Sequence, residues 1–368
     1  MKQLLKLKRI FILLLLPLSF FIIFIAKRNS FLTEEVFSKR FYRFYSIILS
    51  RLTGIFPFSV GELFIILLPL ALTLIFILFV LHIWKEREKR KSIIGKAIIN
   101  LLCAVSILSF LYIIGCGVNY HRYSFSYYSN LVVQDSTKEE LFQLSMSLAK
   151  RANTLREQTT KEDEFGVFQL SMSNNELGKE MVKAYDKIAK DYPILGGWYP
   201  KPKSLMLSGL MSRMQLTGIF LPFTMEATVN VAVPDYSIPA TMGHEMAHQR
   251  GFMREDEANY IGYLVCSNSD QVDLQYSGVM QALIITANAL YDKDVDLYQQ
   301  VAATYSVKLR IDLNANTEYW RQFENQTISN AVEQINNTYL IMNDQTDGIQ
   351  SYGRMVDLLL AEYRESIQ

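Results

Sequence analysis

The chain has 368 residues, half of them hydrophobic (50%), with 37 Lys and Arg against 36 Asp and Glu and a positive mean hydropathy. So apolar a composition argues against a protein that is soluble throughout. The near-neutral charge is unevenly divided: residues 1–118 hold 16 basic and 5 acidic residues and residues 119–368 hold 21 and 31, and an acidic second part without a basic stripe argues for no nucleic acid partner.

The first apolar run, Ile10 to Ala26, follows Lys2, Lys6, Lys8 and Arg9. A signal peptide has the same charged start, but Lys27 and Arg28 close this run without a small-residue cleavage pattern. Leu63 to Ile83 and Ala97 to Val118 are also free of formal charge. Each run is near the roughly 20 residues that cross a ~30 Å hydrocarbon core. Three membrane spans are therefore expected, over about 10–26, 63–83 and 97–118, with the lipid bilayer as a partner.

The tail has four basic residues in its first nine, and the loop Lys85 to Lys96 has six, so both are expected in the cytoplasm. Three spans then put residues 119–368 outside a multi-pass cell-membrane protein. The loop between the first two spans, which also carries six basic residues, runs against this orientation. Its segment Val36 to Leu52 mixes Lys39, Arg40, Arg43 and Arg51 with Phe37, Phe41, Phe44, Tyr45, Ile48 and Leu49, the pattern of an amphipathic helix lying in the interface.

Beyond the spans, helical spacing runs over Thr137 to Lys161 and Asn174 to Lys190, with acidic residues early and basic ones late, as helix dipoles favour. Pro193 to Pro202 reads as a loop. Met225, Ala227, Val229, Val231 and Val233 then alternate with Glu226, Thr228, Asn230 and Ala232, a half-buried strand that Pro234 ends. After Gly251 the chain reads as mostly helical, with breaks near Ser267 to Ser277 and Asn343 to Gly353. The expected fold is a multi-pass α-helical anchor over 1–118 followed by a mainly α, α+β domain over 119–368. Cys266 is the one cysteine of that second part, which excludes an internal disulfide or a Cys-ligated zinc there.

The chemically informative stretch is His244-Glu245-Met246-Ala247-His248, which holds two of the four histidines. Residues four apart share a helix face, so both imidazoles can reach one ion while Glu245 stands beside the remaining coordination position. Ser237 or Asp235 can cap the helix, Pro239 suits its first turn, and Gly251 ends it. Gln249, Arg250 and Arg254 keep the motif out of the hydrocarbon. A catalytic zinc needs a third protein ligand, and the shortage of His and Cys leaves a carboxylate, Glu255 or Glu257. Glu255 shares a face with Ala258, Asn259, Gly262 and Cys266, and the motif helix carries Ala240, Ala247 and Gly251 beside its histidines. Small faces permit close approach, which favours Glu255; Glu257 points about 200° away.

The segment His244 to Cys266, HEMAHQRGFMREDEANYIGYLVC, resembles the one that defines the DUF3810 family of bacterial membrane proteins, grouped with gluzincin-type zinc metallopeptidases. Glu255-x-x-Ala258-Asn259 is similar to the Glu-x-x-Ala-Asp/Asn signature of other HExxH peptidases, and the likeness extends to Phe223 to Ala227 and to Asp347 to Arg354. It implies a zincin-like domain, Zn2+ held by His244, His248 and Glu255, Glu245 as general base, and a peptide or protein substrate. It implies that Asn259 supports a histidine ligand, where many gluzincins have Asp, and that Phe223 to Val233 is the strand at the cleft edge. Glu226, Thr228 and Asn230 on its polar face are then candidates for substrate contact, and Tyr352 and Arg354 for stabilising an oxyanion. Two functions stay open: a membrane-anchored zinc-dependent peptidase, and a non-catalytic zinc-binding envelope sensor or scaffold, which has no use for a base at Glu245.

Overall fold

The computed structural model describes residues 2–324, 334, 337–338 and 355–367. Three helices are long and apolar enough to cross a membrane, Lys8–Arg28, Val60–Lys85 and Arg87–Gly115, one around each expected run. The first is interrupted at Leu14, because Pro17 has no N–H to give to the preceding turn. The first and third lie against each other, burying Ala26 and Cys103. No residue in the most apolar stretch of the second is buried.

Between the first two, residues 30–54 are helical, with a π-helical segment at Thr33–Tyr42. The expected amphipathic helix over 36–52 is there, but its faces serve differently. Ser38, Tyr42, Ser46, Ser50 and Thr53, at near four-residue spacing, are buried against the rest of the protein, whereas Phe41, Phe44, Ile48 and Leu52 are exposed. Small hydroxyl residues permit close approach and supply hydrogen bonds: Ser46 Oγ pairs with Tyr199 Oη at 3.0 Å and Thr53 Oγ1 donates to Thr224 O at 3.0 Å. Three cations of this loop are also engaged within the chain. Lys39 pairs with Glu35, Arg43 donates to Gly196 O and Arg51 to Trp198 O. The fully buried Glu34 meets Arg122 at 2.7 Å, so packing crosses the division at residue 118.

The helices Lys138–Gln158 and Asn174–Ile188 fall where helical spacing placed them, each opened by a capping box, Thr137 with Glu140 and Ser173 with Glu176. Three helices, Ser237–Gln249, Glu255–Ser267 and Val272–Lys293, pack on one another behind the motif, and Met355–Ser366 closes the core. A buried ion pair, Arg156 Nε to Asp312 at 2.6 Å, ties Lys138–Gln158 to Val307–Arg321.

A small sheet lies against the motif helix: β1 (Lys203–Ser204), β2 (Gly218–Leu221) and β3 (Glu226–Val229), in the order β1-β3-β2. β3 runs parallel to β1 and antiparallel to β2. The expected strand over 223–233 is therefore shorter and is not an edge, since residues 222–225 form a turn and β3 is central. All four β3 residues are buried. The face read as wet is covered by Lys203 and by the start of the helix Val60–Lys85. The outer strands are β1 and β2, and β2 is a four-residue run without polar alternation that the sequence did not single out.

Candidate metal centre

Neither proposed cap acts at the start of the motif helix. Asp235 instead accepts from Leu170 N at 2.9 Å and Ser237 Oγ donates to Pro234 O at 2.7 Å, while Ala240 N finds Ser277 Oγ of the neighbouring helix at 2.9 Å. Pro239 lies in the first turn, where its missing N–H costs nothing. At the other end Gly251 adopts φ +89°, the left-handed conformation that closes a helix, and Phe252 N donates back to Ala247 O. That turn also brings Phe252 O to His248 Nδ1 at 2.8 Å.

The motif helix and Glu255–Ser267 cross where both are glycine. A Cβ on Gly243 would sit 3.0 Å from Gly262 Cα, and one on Gly262 would sit 2.9 Å from Ala240 O. The expected small-residue contact is present, with Gly243 at its centre. This approach carries the Glu255 carboxylate to 3.2 Å from His244 Nε2 and 3.6 Å from His248 Nε2, and the two Nε2 atoms are 3.0 Å apart. Glu245 joins the histidines in a group whose ligand atoms lie within 4.8 Å of one another, a set that could hold a metal ion. Glu257 faces elsewhere: it accepts from Phe125 N at 2.9 Å and pairs with Arg254 at 3.3 Å.

The surroundings fix how the imidazoles are presented. His244 Nδ1 is 2.9 Å from Asn259 Oδ1, which also accepts from Gln281 Nε2 at 3.1 Å, and His248 Nδ1 faces the Phe252 carbonyl. An oxygen that can only accept demands the proton on Nδ1, so a neutral imidazole points its Nε2 lone pair at the centre. Asn259 thus does with an amide oxygen what Asp does with a carboxylate. Burial pulls the His248 pKa down, but the Glu255 carboxylate beside it outweighs that and raises it to about 9, a proton that a divalent ion would displace. Burial raises the Glu255 pKa, yet His248 and His244 hold it well below the usual carboxylate range. Glu245 is pushed up to about 6, chiefly by burial against the pull of both histidines.

Two neighbours of Glu245 and the histidines come from β2. A Cβ on Gly218 would meet Glu245 Oε1 at 2.6 Å, so only glycine leaves the carboxylate its place, and the Phe220 ring lies 6.2 Å from that of His248. Gly218 and Gln281 are the residues that sequence reasoning missed. Each lies more than twenty positions from the motif residue it serves, and no local pattern links them.

Glu226 and Asn230 are bound into the interior, correcting their reading as substrate contacts. The Glu226 carboxylate is bound by Lys203 Nζ at 2.5 Å, Gly61 N at 2.7 Å and Val60 N at 3.0 Å. Asn230 is fully buried, donates to Ser212 Oγ and Leu216 O and accepts from Ala232 N. Thr228 Oγ1 donates to Ile219 O. Tyr352 and Arg354, with the break at 343–353, lie outside the described residues.

The chain belongs to the DUF3810 family, described as a protein of unknown function, which matches residues 37–360. No curated protein and no solved structure matches it.

Proposed function

We propose that this member of the DUF3810 family is a membrane-anchored zinc metallopeptidase that binds Zn2+ through His244, His248 and Glu255 and uses Glu245 as general base. The observation that carries the reading is the convergence of three donors. Two imidazole nitrogens and a carboxylate stand 3.0, 3.2 and 3.6 Å from one another. Ligands about 2.0–2.1 Å from a tetrahedral zinc are separated by roughly 3.3 Å, so donor type, number and spacing all fit that ion. Three protein ligands leave one position for substrate or water.

Bound there, zinc supplies Lewis acidity that polarises a carbonyl and makes water a nucleophile near neutral pH. The residues of the chain do the rest. Glu245, with its pKa raised to about 6, takes the proton of the attacking water and delivers it to the leaving amine. Asn259, Gln281 and the Phe252 carbonyl keep the ligands oriented. Asn230 N pairs with Thr217 O, so alternation turns the amides of Gly218 and Phe220 to the outer edge of β2, where an extended peptide can pair with them.

The three apolar helices serve in this reading as membrane spans, with the domain outside the cytoplasm. Basic residues of the tail and of the 85–96 loop support that orientation. The opposing cations at 39, 43 and 51 are occupied by contacts within the protein, which weakens their claim to the cytoplasmic side.

Zinc stoichiometry of the purified full chain tests the site. The expected result is about one zinc per chain in wild type and loss in both His248→Ala and Glu255→Ala, beyond the roughly 10–100-fold affinity cost of a lost supporting hydrogen bond. Glu257→Ala should keep its zinc. A site emptied by Glu257→Ala and retained by Glu255→Ala would overturn the assignment.

A further inference from the structure

We infer that the outer edge of β2, beside Glu245, lies at the bilayer interface and takes a polypeptide segment that has just left the membrane. The substrate class rests on the peptidase reading above; the placement at the interface rests on packing.

The turn at 222–225 is wedged between the ends of two of the apolar helices. At the start of Val60–Lys85, a Cβ on Gly61 would meet Leu221 Cδ1 at 2.5 Å, and the first two amides of that helix donate to the Glu226 carboxylate. At the end of Arg87–Gly115, a Cβ on Gly115 would meet Pro222 O at 2.9 Å. Glu62 adds a further tie, accepting from Met206 N and Leu207 N at 2.9 and 2.7 Å. Two glycines and the buried Glu226 carboxylate therefore seat the β2–β3 turn directly on the helix ends, while Glu62 holds the segment at 206–207 to the same helix start.

What surrounds this junction suits lipid headgroups better than open water. Among the described residues Phe223 in the turn is 47% exposed, Phe56 47%, Ile55 75%, and Ile219 on the outer strand 36%. On the adjoining helix, residues 30–54, the polar stripe is turned inward and Phe44 and Leu52 outward. Apolar and aromatic side chains at the level where apolar helices begin are the usual belt of an interface. The first turn of Val60–Lys85 is buried against the domain at Gly61 and Glu62, and its most apolar stretch, which has no buried residue, leads directly away from that contact.

Distance converts this placement into a substrate class. Leu221 stands at the helix end and Gly218, against Glu245, lies three strand residues away, roughly 10 Å at ~3.4 Å per residue. A chain leaving the hydrocarbon at the level of Gly61 reaches Glu245 within about three to five extended residues. The outward amides of β2 run along that path. A membrane-anchored polypeptide is thus delivered in register, while a free peptide has to enter through the headgroups.

The test uses the full chain in nanodiscs of phosphatidylethanolamine and phosphatidylglycerol. A fluorophore at Phe223→Cys is compared with one at Val307→Cys, which is 75% exposed and begins the helix Val307–Arg321, with lipids carrying nitroxide quenchers near the headgroup; the three native cysteines are buried. Quenching several-fold stronger at 223 than at 307 is expected, and equal quenching would overturn the placement. In the same discs, cleavage is compared between a membrane helix followed by a randomised ten-residue segment and that segment free in solution. Cuts concentrated in about the first five residues of the anchored form, at least ~10-fold faster than in the free form, are expected. Equal cleavage of both forms would overturn the substrate class and leave the peptidase reading standing. Cleavage of neither by the zinc-loaded protein would instead count against the peptidase reading and the substrate class together, with the quenching still deciding the placement.

Discussion

Glu245 and Gly218 show how little space separates a base from an obstruction. With Glu245 Oε1 2.6 Å from where a Gly218 Cβ would stand, Gly218→Ala must displace the carboxylate while leaving both histidines and Glu255 in place. Gly218→Ala is expected to keep its zinc and to lose activity on the order of 10²-fold, the cost of misplacing a catalytic group by about 1 Å. Metal content and cleavage rate measured on the same preparation check it; full activity would show that Glu245 has room to spare. At this scale the convergence of His244, His248 and Glu255 was legible, because helical geometry puts His244 and His248 on one face and the small residues after Glu255 on the face that meets them. Glu226 and Asn230 were misread for an equally physical reason. An alternating strand looks the same whether water or Lys203 covers its polar face.

Among the elements, the helical segment 30–54 departs most from expectation. Its period was read correctly, but the buried side is the polar one, because hydroxyls at four-residue spacing fit a protein surface and exposed aromatics fit an interface. Tyr42, fully buried, donates to His248 O at 3.1 Å and reaches Gln249 O at 3.4 Å, bracing the end of the motif helix. Tyr42→Phe removes this hydrogen bond from the interior while His248 O still accepts from Gly251 N at 2.9 Å, and is expected to cost about 0.5–1.5 kcal/mol of stability. Denaturation of the full chain should show this, whereas Tyr127→Phe, at an exposed ring, should change nothing; no effect at Tyr42 would mean that the brace is idle. β2 escaped notice because four residues ending at Pro222 carry too short a pattern to distinguish a strand from a buried loop.

For the molecule as a whole, run length and charge made the three apolar helices legible, and the helical domain followed from its spacing and caps. What the sequence could not reveal is that the loop between the first two apolar helices packs against the motif helix and its surroundings, since Tyr42, Glu34 and Thr53 find partners some 90 to 200 residues away. That contact requires residues 30–54 and the motif to share one side of the membrane. Reporter fusions after Val118 and within the 85–96 loop should report outside and inside respectively; a cytoplasmic signal after Val118 would reverse the orientation.

The central claim is that a zinc held by His244, His248 and Glu255 works with Glu245 to hydrolyse peptides, and Glu245→Gln separates holding from hydrolysis. The substitution keeps the shape of the side chain and none of its basicity. The direct measurement is cleavage of a broad peptide library, presented both free and anchored, by full-length wild type and Glu245→Gln with zinc content determined for each. The expected result is equal zinc and a fall in cleavage of at least about 10²- to 10⁴-fold, the usual contribution of a general base. Equal cleavage by the two proteins would remove Glu245 from the mechanism, and fully zinc-loaded wild type that cleaves no library member in either form would contradict the peptidase account in favour of a non-catalytic zinc site.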